Sequence, residues 1–262
     1  MRRLLATLLL AVAAGCATGP RIDTTVTAVS QDSRAQFLVL HFTTTSLPGS
    51  LATLALGPVS SHYLVNDDPP TVYRLVDESR RAWHAGDSSW RGHTQLNAAS
   101  IGIEIVNAGN RLTPDGIEWA DYPRPQVDAV IGLVKDIVKR HGIRPDHILG
   151  HSDIAPQRKV DPGPRFPWKR LADEGLIAWP EESRVAERRA FYAAGLPDIA
   201  WFQAKLAAHG YAVARTGVLD TATQRVVAAF QMKYRPSLCD GDPDAETAAL
   251  LDVLTATAAD AR

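Results

Sequence analysis

The feature that most constrains the fold is a nearly continuous apolar run at residues 36–42, QFLVLHF. Successive side chains of a β-strand point to opposite faces, so a strand over this run is apolar on both faces. Such a strand is stable only when both faces are covered. A second run, IGIEIV at residues 101–106, places its three isoleucines on one face and Gly102, Glu104 and Val106 on the other. Both runs predict strands inside a covered sheet.

A helix is expected between these strands and the loop that follows them. Apolar residues recur every three or four positions over residues 125–141, with Pro123 and Pro125 at the start and Gly142 at the end. This is the pattern of an amphipathic helix with its usual end signals. Shorter strands are predicted at residues 61–65, 72–76 and 147–149. The sequence therefore predicts an α/β fold with a mixed central sheet flanked by helices.

The C-terminal part of the chain predicts a separate helical unit. Helical patterns cover residues 199–209, 221–234 and 244–254, and the turn GVLDTAT at 217–223 is echoed by GDPDAET at 241–247. Each turn places an N-cap residue before a helix. Residues 176–197 are typical of a connector or a bridging helix. We expect an α/β domain over residues 17–180, a linker or bridging helix over 181–196 and a three-helix domain over 197–262.

The N-terminus has the features of an export signal. Arg2 and Arg3 precede an apolar run, and residues 1–15 are predicted to be a signal peptide, too short for a stable membrane span. Residues 13–16, AAGC, resemble the lipobox of bacterial lipoproteins. This resemblance implies that Cys16 is acylated and that the protein is lipid-anchored to the outer membrane, facing the periplasm. The alternative is an ordinary signal peptide with an incidental cysteine.

Charge and cysteine content narrow the partners. The chain has 262 residues, 28 basic and 29 acidic side chains and no basic cluster, which argues against a nucleic-acid partner. If Cys16 carries lipid, Cys239 has no disulfide partner, because the chain has only 2 cysteines. Stability must then come from burial, and we expect a monomer.

Five polar residues stand at strand ends or on one stiff loop. His41 ends the first apolar run, Glu104 interrupts the isoleucine strand, and His151, Lys159 and Asp161 lie in GHSDIAPQRKVDPG, residues 150–163. Pro156 and Pro162 prevent a helix from running through this loop. Each residue alone has an ordinary explanation, as a buried histidine, a solvated glutamate or a weak surface ion pair.

Together, these residues suit metal-dependent hydrolysis. Zinc in hydrolytic sites takes three protein ligands and leaves a fourth position open, and His41, His151 and Asp161 supply two imidazoles and a carboxylate. Lys159 and Asp161 point the same way in an extended segment. Glu104 is predicted to move a proton and Lys159 to face the developing oxyanion. The reaction expected is amide hydrolysis with one Zn²⁺ per chain.

Four segments, FLVLHFTTT, AWHAG, NAASIGIEIVN and ILGHSDIAPQRKVDPG, resemble the zinc-dependent N-acetylmuramoyl-L-alanine amidases of the amidase-2 class. These enzymes share a fold with phage T7 lysozyme and the peptidoglycan recognition proteins. The resemblance covers roughly residues 30–180. It implies His41, His151 and Asp161 as zinc ligands and Glu104 and Lys159 as catalytic residues. The substrate it implies is the amide between N-acetylmuramic acid, in the ordinary or 1,6-anhydro form, and L-alanine of the peptidoglycan stem peptide.

Further predictions concern substrate contacts and the C-terminal helices. Trp83 and His84 are predicted to border the cleft and contact sugar or stem peptide, and Asn107 to bind peptide backbone. The alternatives are a packed aromatic with a polar tip and a residue that only ends the strand. Residues 200–251 resemble a peptidoglycan-binding domain, although Leu219-Asp220 stands where Phe-Gly is usual. The alternative there is a bundle that only packs on the enzyme.

Two other functions fit parts of the sequence. One is a peptidoglycan recognition protein without catalytic activity, and the other is a zinc peptidase that cuts within the stem peptide. All three ligands and both catalytic residues are present, which favours the amidase.

Overall fold

The computed structural model describes residues 19–114 and 116–256. The predicted signal peptide, residues 1–15, and Cys16 lie outside the described residues. Residues 19–32 contain no helix or strand and belong to a unit of their own, whereas the described chain from Ser33 onward forms one compact unit. No helix in the described ranges has the length and apolarity needed to cross a membrane.

The described strands of this unit all lie before His151, and the elements that follow are helices. The strands are β1 (Phe37–Phe42), β2 (Tyr63–Val65), β3 (Val72–Arg74), β4 (Ser89–Trp90), β5 (His93–Thr94), β6 (Ser100–Ile105), β7 (Asn110–Thr113), β8 (Gly116–Trp119) and β9 (Ile148–Gly150). The helices are α1 (Leu47–Leu56), α2 (Arg124–His141), α3 (His151–Ile154), α4 (Trp168–Asp173), α5 (Glu182–Ala193), α6 (Ile199–His209), α7 (Thr221–Tyr234) and α8 (Ala245–Leu254).

Within the described residues, five strands form the main sheet in the order β3-β2-β6-β1-β9. β1 pairs in parallel with β6 and β9, β2 pairs in parallel with β6, and only β2 and β3 are antiparallel. This confirms the predicted mixed α/β fold. The parallel register of β1 and β6 aligns Val39 with Gly102 and His41 with Glu104, so these four side-chain positions share one face.

Helix α2 covers the other face of the sheet. Leu38 and Leu40 of β1 and the three isoleucines of β6 pack in one buried cluster with residues of α2, namely Val127, Val130, Ile131, Val134 and Ile137. The helix ends at Gly142, whose φ of 67° places it in the left-handed region that glycine adopts readily. The predicted helical stripe is therefore the surface that buries the isoleucine face.

The C-terminal helices bury the first face of the same sheet. Phe37, Val39 and Leu149 belong to one cluster with Phe202 and Leu206 of α6, with Tyr211 of the loop that follows α6, and with the α7 residues Val226, Val227 and Phe230. The doubly apolar strand β1 is thus covered by α2 on one side and by α6 and α7 on the other. The sheet has two helical layers, and the second comes from the end of the chain.

The C-terminal helices have aspartate caps, two of which lie in the predicted Gly/Asp turns, and the expected bridging segment is helical. Asp198, Asp220 and Asp244 each accept a hydrogen bond from the backbone N–H three residues on, at 2.9, 2.7 and 2.7 Å. Residues 182–193, expected to be a linker or bridging helix, form α5. Its Tyr192 is buried with the helical cluster, and its hydroxyl donates to Asp252 of α8 at 3.0 Å.

Several short elements were not expected from the sequence. Helix α1 contains Pro48, Gly49 and several small residues, so its sequence has no clear helical periodicity of apolar residues. Helix α3 is a single turn that fits before Pro156, so the proline-rich loop begins with a helical turn and then becomes irregular.

Candidate active site

The parallel strands bring the predicted site residues to one edge of the sheet. His41 lies near the end of β1 and faces Glu104 on β6, while His151 follows directly on β9, the other neighbour of β1. Asp161 lies in the loop after α3, and the N–H of Ser152 donates to its backbone carbonyl at 2.9 Å. Strand order therefore explains why residues 41, 104 and 151 meet.

Three buried donor atoms converge at this edge. His41 Nδ1 lies 2.9 Å from His151 Nδ1 and 3.1 Å from Asp161 Oδ2, and His151 Nδ1 lies 3.1 Å from the same oxygen. The three residues are only 1, 3 and 5% exposed. Four tetrahedral bonds of about 2.0–2.1 Å place ligand atoms roughly 3.3 Å apart. The triangle therefore has nearly the dimensions of a zinc ligand set.

Hydrogen bonds on the far side of each imidazole fix which nitrogen is free for a metal. His151 Nε2 donates to the Ala85 carbonyl at 3.1 Å, which leaves Nδ1 with its lone pair. The tautomer of His41 is set through a chain of three hydrogen bonds. Ser100 Oγ donates to Leu96 O at 2.6 Å, so it accepts from His84 Nε2 at 3.1 Å.

That bond leaves His84 Nδ1 as an acceptor, and it lies 3.0 Å from His41 Nε2. His41 therefore donates through Nε2 and keeps the lone pair on Nδ1, which faces the triangle. Such partners behind metal-binding histidines orient the ring and increase its basicity. Both histidines thus present Nδ1 to one point.

The segment AWHAG supplies both of these partners. Asn97 Oδ1 accepts from the N–H groups of His84 and Ala85 at 3.0 and 2.7 Å and holds the segment in place. A Cβ on Gly102 would lie 2.5 Å from Cγ of His84, so glycine is needed where the ring crosses the sheet. His84 therefore lies behind His41, as a hydrogen-bond partner of its Nε2, and also contributes to the pocket that the sequence predicted it to border. No pattern in the sequence pairs residue 84 with residue 41.

Electrostatics favour a neutral His41 and an ionised Asp161 in this triangle. Burial and the neighbouring His151 lower the pKa of His41 to about 4, and burial also holds the pKa of His84 well below its ordinary value. Burial opposes ionisation of Asp161, but the two imidazoles outweigh it and keep the pKa of this carboxyl below its usual range. Neutral imidazoles and a carboxylate are the forms that bind metal.

The pKa of Glu104 is shifted in the opposite direction from that of Asp161. Burial, reinforced by the nearby Asp161 carboxylate, raises the pKa of Glu104 well above its ordinary value, and Lys159 opposes this only in part. A carboxyl group with a raised pKa can both accept and return a proton near neutral pH. The arrangement therefore offers an acid–base group beside a metal-binding triangle.

A cavity of about 230 Å³ opens over these groups. Its lining includes the triangle, Glu104, Lys159, Trp83, His84 and the threonines Thr43, Thr44 and Thr45. Trp83 stands at the rim, 51% exposed, with the Arg81 guanidinium 4.0 Å from its ring centre. The structure thus brings the two predicted catalytic residues and the three predicted ligands into one pocket.

Asn107 lies outside this lining. Its Nδ2 donates to Asp121 O at 3.0 Å, and its Oδ1 accepts from Gly109 N–H at 2.7 Å. The side chain is occupied in holding the backbone on either side of the β7–β8 hairpin. Of the two readings that the sequence left open, the geometry favours the strand-end role.

Comparison with known proteins agrees with this geometry. Residues 31–164 match the family model described as N-acetylmuramoyl-L-alanine amidase, and residues 196–251 match that of a peptidoglycan binding domain. The N-acetylmuramoyl-L-alanine amidase AmiD of Escherichia coli K12 is 43% identical over 247 residues, which cover 90% of this chain and 88% of that protein.

Solved structures superpose over the same extent. The Escherichia coli AmiD complex has a TM-score of 0.80 at 42% identity and covers 90% of this chain and 94% of its own. AmpDh3 of Pseudomonas aeruginosa has a TM-score of 0.83 at 38% identity and covers 90 and 98%. The chain therefore belongs to the N-acetylmuramoyl-L-alanine amidase family.

Proposed function

We propose that the protein is a zinc-dependent amidase that cleaves the bond between N-acetylmuramic acid and L-alanine of peptidoglycan stem peptides, in cell-wall turnover. The observation that carries this proposal is the convergence of His41, His151 and Asp161 in one pocket with Glu104 and Lys159. The AmiD structure is a complex with the substrate anhydro-N-acetylmuramic acid-L-Ala-D-γ-Glu-L-Lys, which supports a muropeptide as the substrate here.

Each residue then has a defined task. His41, His151 and Asp161 hold one zinc ion, which supplies Lewis acidity toward the amide carbonyl and toward water. Glu104 accepts a proton from the attacking water and returns it to the leaving nitrogen. The Lys159 ammonium stabilises the negative charge that develops on the carbonyl oxygen. Trp83 at the rim offers an apolar face to the sugar or the stem peptide.

Product analysis tests this reaction. Incubation with a defined muropeptide should release a stem peptide with a free L-alanine amino terminus, identified by mass spectrometry. Removal of zinc with a chelator should abolish release, and added zinc should restore it. Full activity after exhaustive metal removal, confirmed by elemental analysis, would refute the proposed role of zinc.

The same assay addresses the two alternative functions. A zinc peptidase would release fragments cut between amino acids of the stem, and a recognition protein would bind the muropeptide without any product. Ordinary and 1,6-anhydro muropeptides, assayed side by side, define which form of the sugar the pocket accepts.

We further propose that the protein is lipid-anchored through Cys16 to the outer membrane, facing the periplasm, and that residues 197–262 contact peptidoglycan. The support is the AAGC sequence and the family match over residues 196–251. The described site is complete within one chain, which agrees with a monomer.

A Cys16→Ser variant should lose metabolic lipid labelling and move from the membrane to the soluble fraction. Labelling that persists in this variant would rule out Cys16 as the acylated residue.

A further inference from the structure

A buried ion pair joins the C-terminal helices to the turn that carries His151. Lys233 of α7 donates to Asp153 Oδ2 at 2.9 Å and to the Ile148 carbonyl at 3.1 Å. The side chains of Lys233 and Asp153 are only 5 and 1% exposed. The ammonium group also lies 4.4 Å from the ring centre of Trp168. This lysine is therefore held inside the protein by groups that belong to the α/β part.

The Asp153 carboxylate is fully engaged on both oxygens. Oδ2 accepts from the Gly150 N–H at 2.8 Å, and Oδ1 accepts from the Tyr211 hydroxyl at 2.6 Å. Asp153 thereby closes the turn from Gly150 to Asp153, and His151 lies within that turn. Two of its partners, Lys233 and Tyr211, come from the C-terminal helical part of the chain.

These contacts hold the chain on both sides of His151. Lys233 holds the carbonyl of Ile148, three residues before the imidazole, and the carboxylate that Lys233 pairs with holds the N–H of Gly150, one residue before it. Loss of a group that hydrogen-bonds a ligand typically lowers metal affinity about 10- to 100-fold, and Asp153 and Lys233 act one step further out, on the backbone that carries the ligand. A separate backbone hydrogen bond, from Arg91 N–H to Gly210 O at 2.8 Å, also joins the same two parts.

We propose that Asp153 is a positioning residue for the metal ligand His151, and that Lys233 and Tyr211 hold it in place. The C-terminal helices are then part of the metal site in addition to any contact they make with the cell wall. This inference rests on the proposed metal site, and it is separable from the amidase chemistry because it concerns only how the chain holds the cation.

A pair of lysine variants in the full chain tests the proposal. Lys233→Met removes the buried ion pair, and Lys205→Met is the matched control. Lys205 lies in α6 and pairs with Asp252 of α8 at 2.8 Å, so this ion pair lies within the helical part and does not involve the His151 turn. Zinc affinity is measured by competition with a chromophoric chelator, and Co²⁺ absorption spectra report ligand geometry. Both are recorded at a temperature where circular dichroism shows folded protein.

We expect Lys233→Met to weaken zinc binding by at least tenfold and to alter the Co²⁺ spectrum, with Lys205→Met equal to the parent. Zinc affinity and a Co²⁺ spectrum in Lys233→Met that match the parent would overturn the proposal. A parent protein that binds no zinc would instead defeat the proposed function.

Tyr211→Phe keeps the test decisive if Lys233→Met does not fold. This variant deletes only the hydroxyl that donates to Asp153 and leaves the ion pair in place. We expect zinc affinity to fall several-fold in Tyr211→Phe. An affinity equal to the parent's would exclude a positioning role for the carboxylate.

Discussion

The proposed function divides the residues at the sheet edge into metal ligands and residues that act on the substrate. Asp161 is a vertex of the donor triangle, whereas Lys159 lines the same cavity from the loop two residues earlier. Because a ligand and an oxyanion partner act at different steps, removal of each should leave a different signature.

Asp161→Ala should therefore lose zinc, and Lys159→Ala should keep zinc and lower kcat about a hundredfold to a thousandfold, the usual effect of one lost oxyanion donor. Zinc titration and steady-state kinetics on a muropeptide measure the two effects. Equal loss of metal in both variants would mean that Lys159 supports the ligand set.

His84 offers a second test at this scale. His84→Phe removes the acceptor for His41 Nε2 and should weaken zinc binding about 10- to 100-fold. His147→Phe is the control, since both histidines are 8% exposed and His147 hydrogen-bonds the Gln36 carbonyl outside the triangle. Chelator competition at neutral pH gives both affinities. An unchanged affinity in His84→Phe would show that His41 needs no partner.

The residues that the sequence could predict are those whose chemistry is specific. His41, His151, Asp161, Glu104 and Lys159 were identifiable because polar groups interrupt apolar strands or crowd one proline-rich loop. The supporting partners were not, because their signal is only burial and a long-range hydrogen bond. His84 meets His41 across 43 residues, and Ala85 meets His151 across 66.

At the scale of elements, long periodic segments were predictable and short ones were not. The stripe over residues 125–141 appears as α2, Arg124–His141, and the two Gly/Asp turns precede α7 and α8 as expected. Helix α1 was missed because its proline, glycine and small residues carry little periodicity. The β7–β8 hairpin has no apolar alternation that separates it from a loop.

The internal repeat of the helical part has a structural basis that its sequence did not reveal. Gln203 accepts from the Gly217 N–H and donates to Thr223 Oγ1, and Gln231 accepts from the Gly241 N–H and donates to Thr247 Oγ1. Both glutamines are 0% exposed. Each one ties a Gly/Asp turn to the first turn of the following helix.

Strand β6 provides a prediction at this scale. Gly102→Ala should push the His84 ring away from His41, because the new Cβ would lie 2.5 Å from that ring. We expect a cost of about 1–3 kcal/mol in unfolding free energy, as for other overpacked sites, together with weaker zinc binding. Urea denaturation and chelator competition measure the two quantities.

Gly132→Ala is the control for this substitution. Gly132 lies in α2, and a Cβ there would meet nothing within 4 Å, so alanine should stabilise the helix by up to about 1 kcal/mol. If Gly102→Ala is as stable as the parent, and binds zinc as well, the close approach of His84 is not a constraint.

For the whole molecule, the main feature is that one core is built from both ends of the unit. The sequence separates residues 197–262 as a domain of their own, yet their helices share a buried cluster with Phe37, Val39 and Leu149 of the sheet. Composition cannot reveal this, because an apolar helix face that packs on its own bundle looks the same as one that packs on a sheet.

Buried histidines make the stability of the metal-free protein depend on pH. Burial lowers the pKa of His41 to about 4 and that of His209, beneath Trp90 and Tyr211, to about 3. Both pKa values lie below the ordinary 6.5. At pH values between the folded-state pKa and 6.5, the unfolded chain therefore binds more protons than the folded one. Their contribution is present above pH 6.5 and is lost as the pH falls toward 4.

We therefore expect the unfolding free energy to fall on acidification, by on the order of 3 kcal/mol for His41 alone. Urea denaturation of the zinc-free protein between pH 7 and pH 4 measures this loss. A His41→Gln variant should show a shallower dependence than the parent. A variant curve parallel to the parent's would mean that His41 does not contribute.

The cover that the C-terminal helices give to the sheet also has a consequence for biosynthesis. Strand β1 leaves the ribosome early, but α6 and α7, which shield Phe37 and Val39, are made more than 150 residues later. Until then, the face of the sheet that α6 and α7 cover has no helical layer to pack against and remains exposed to solvent. The nascent enzyme therefore cannot complete this core until α7 has been synthesised.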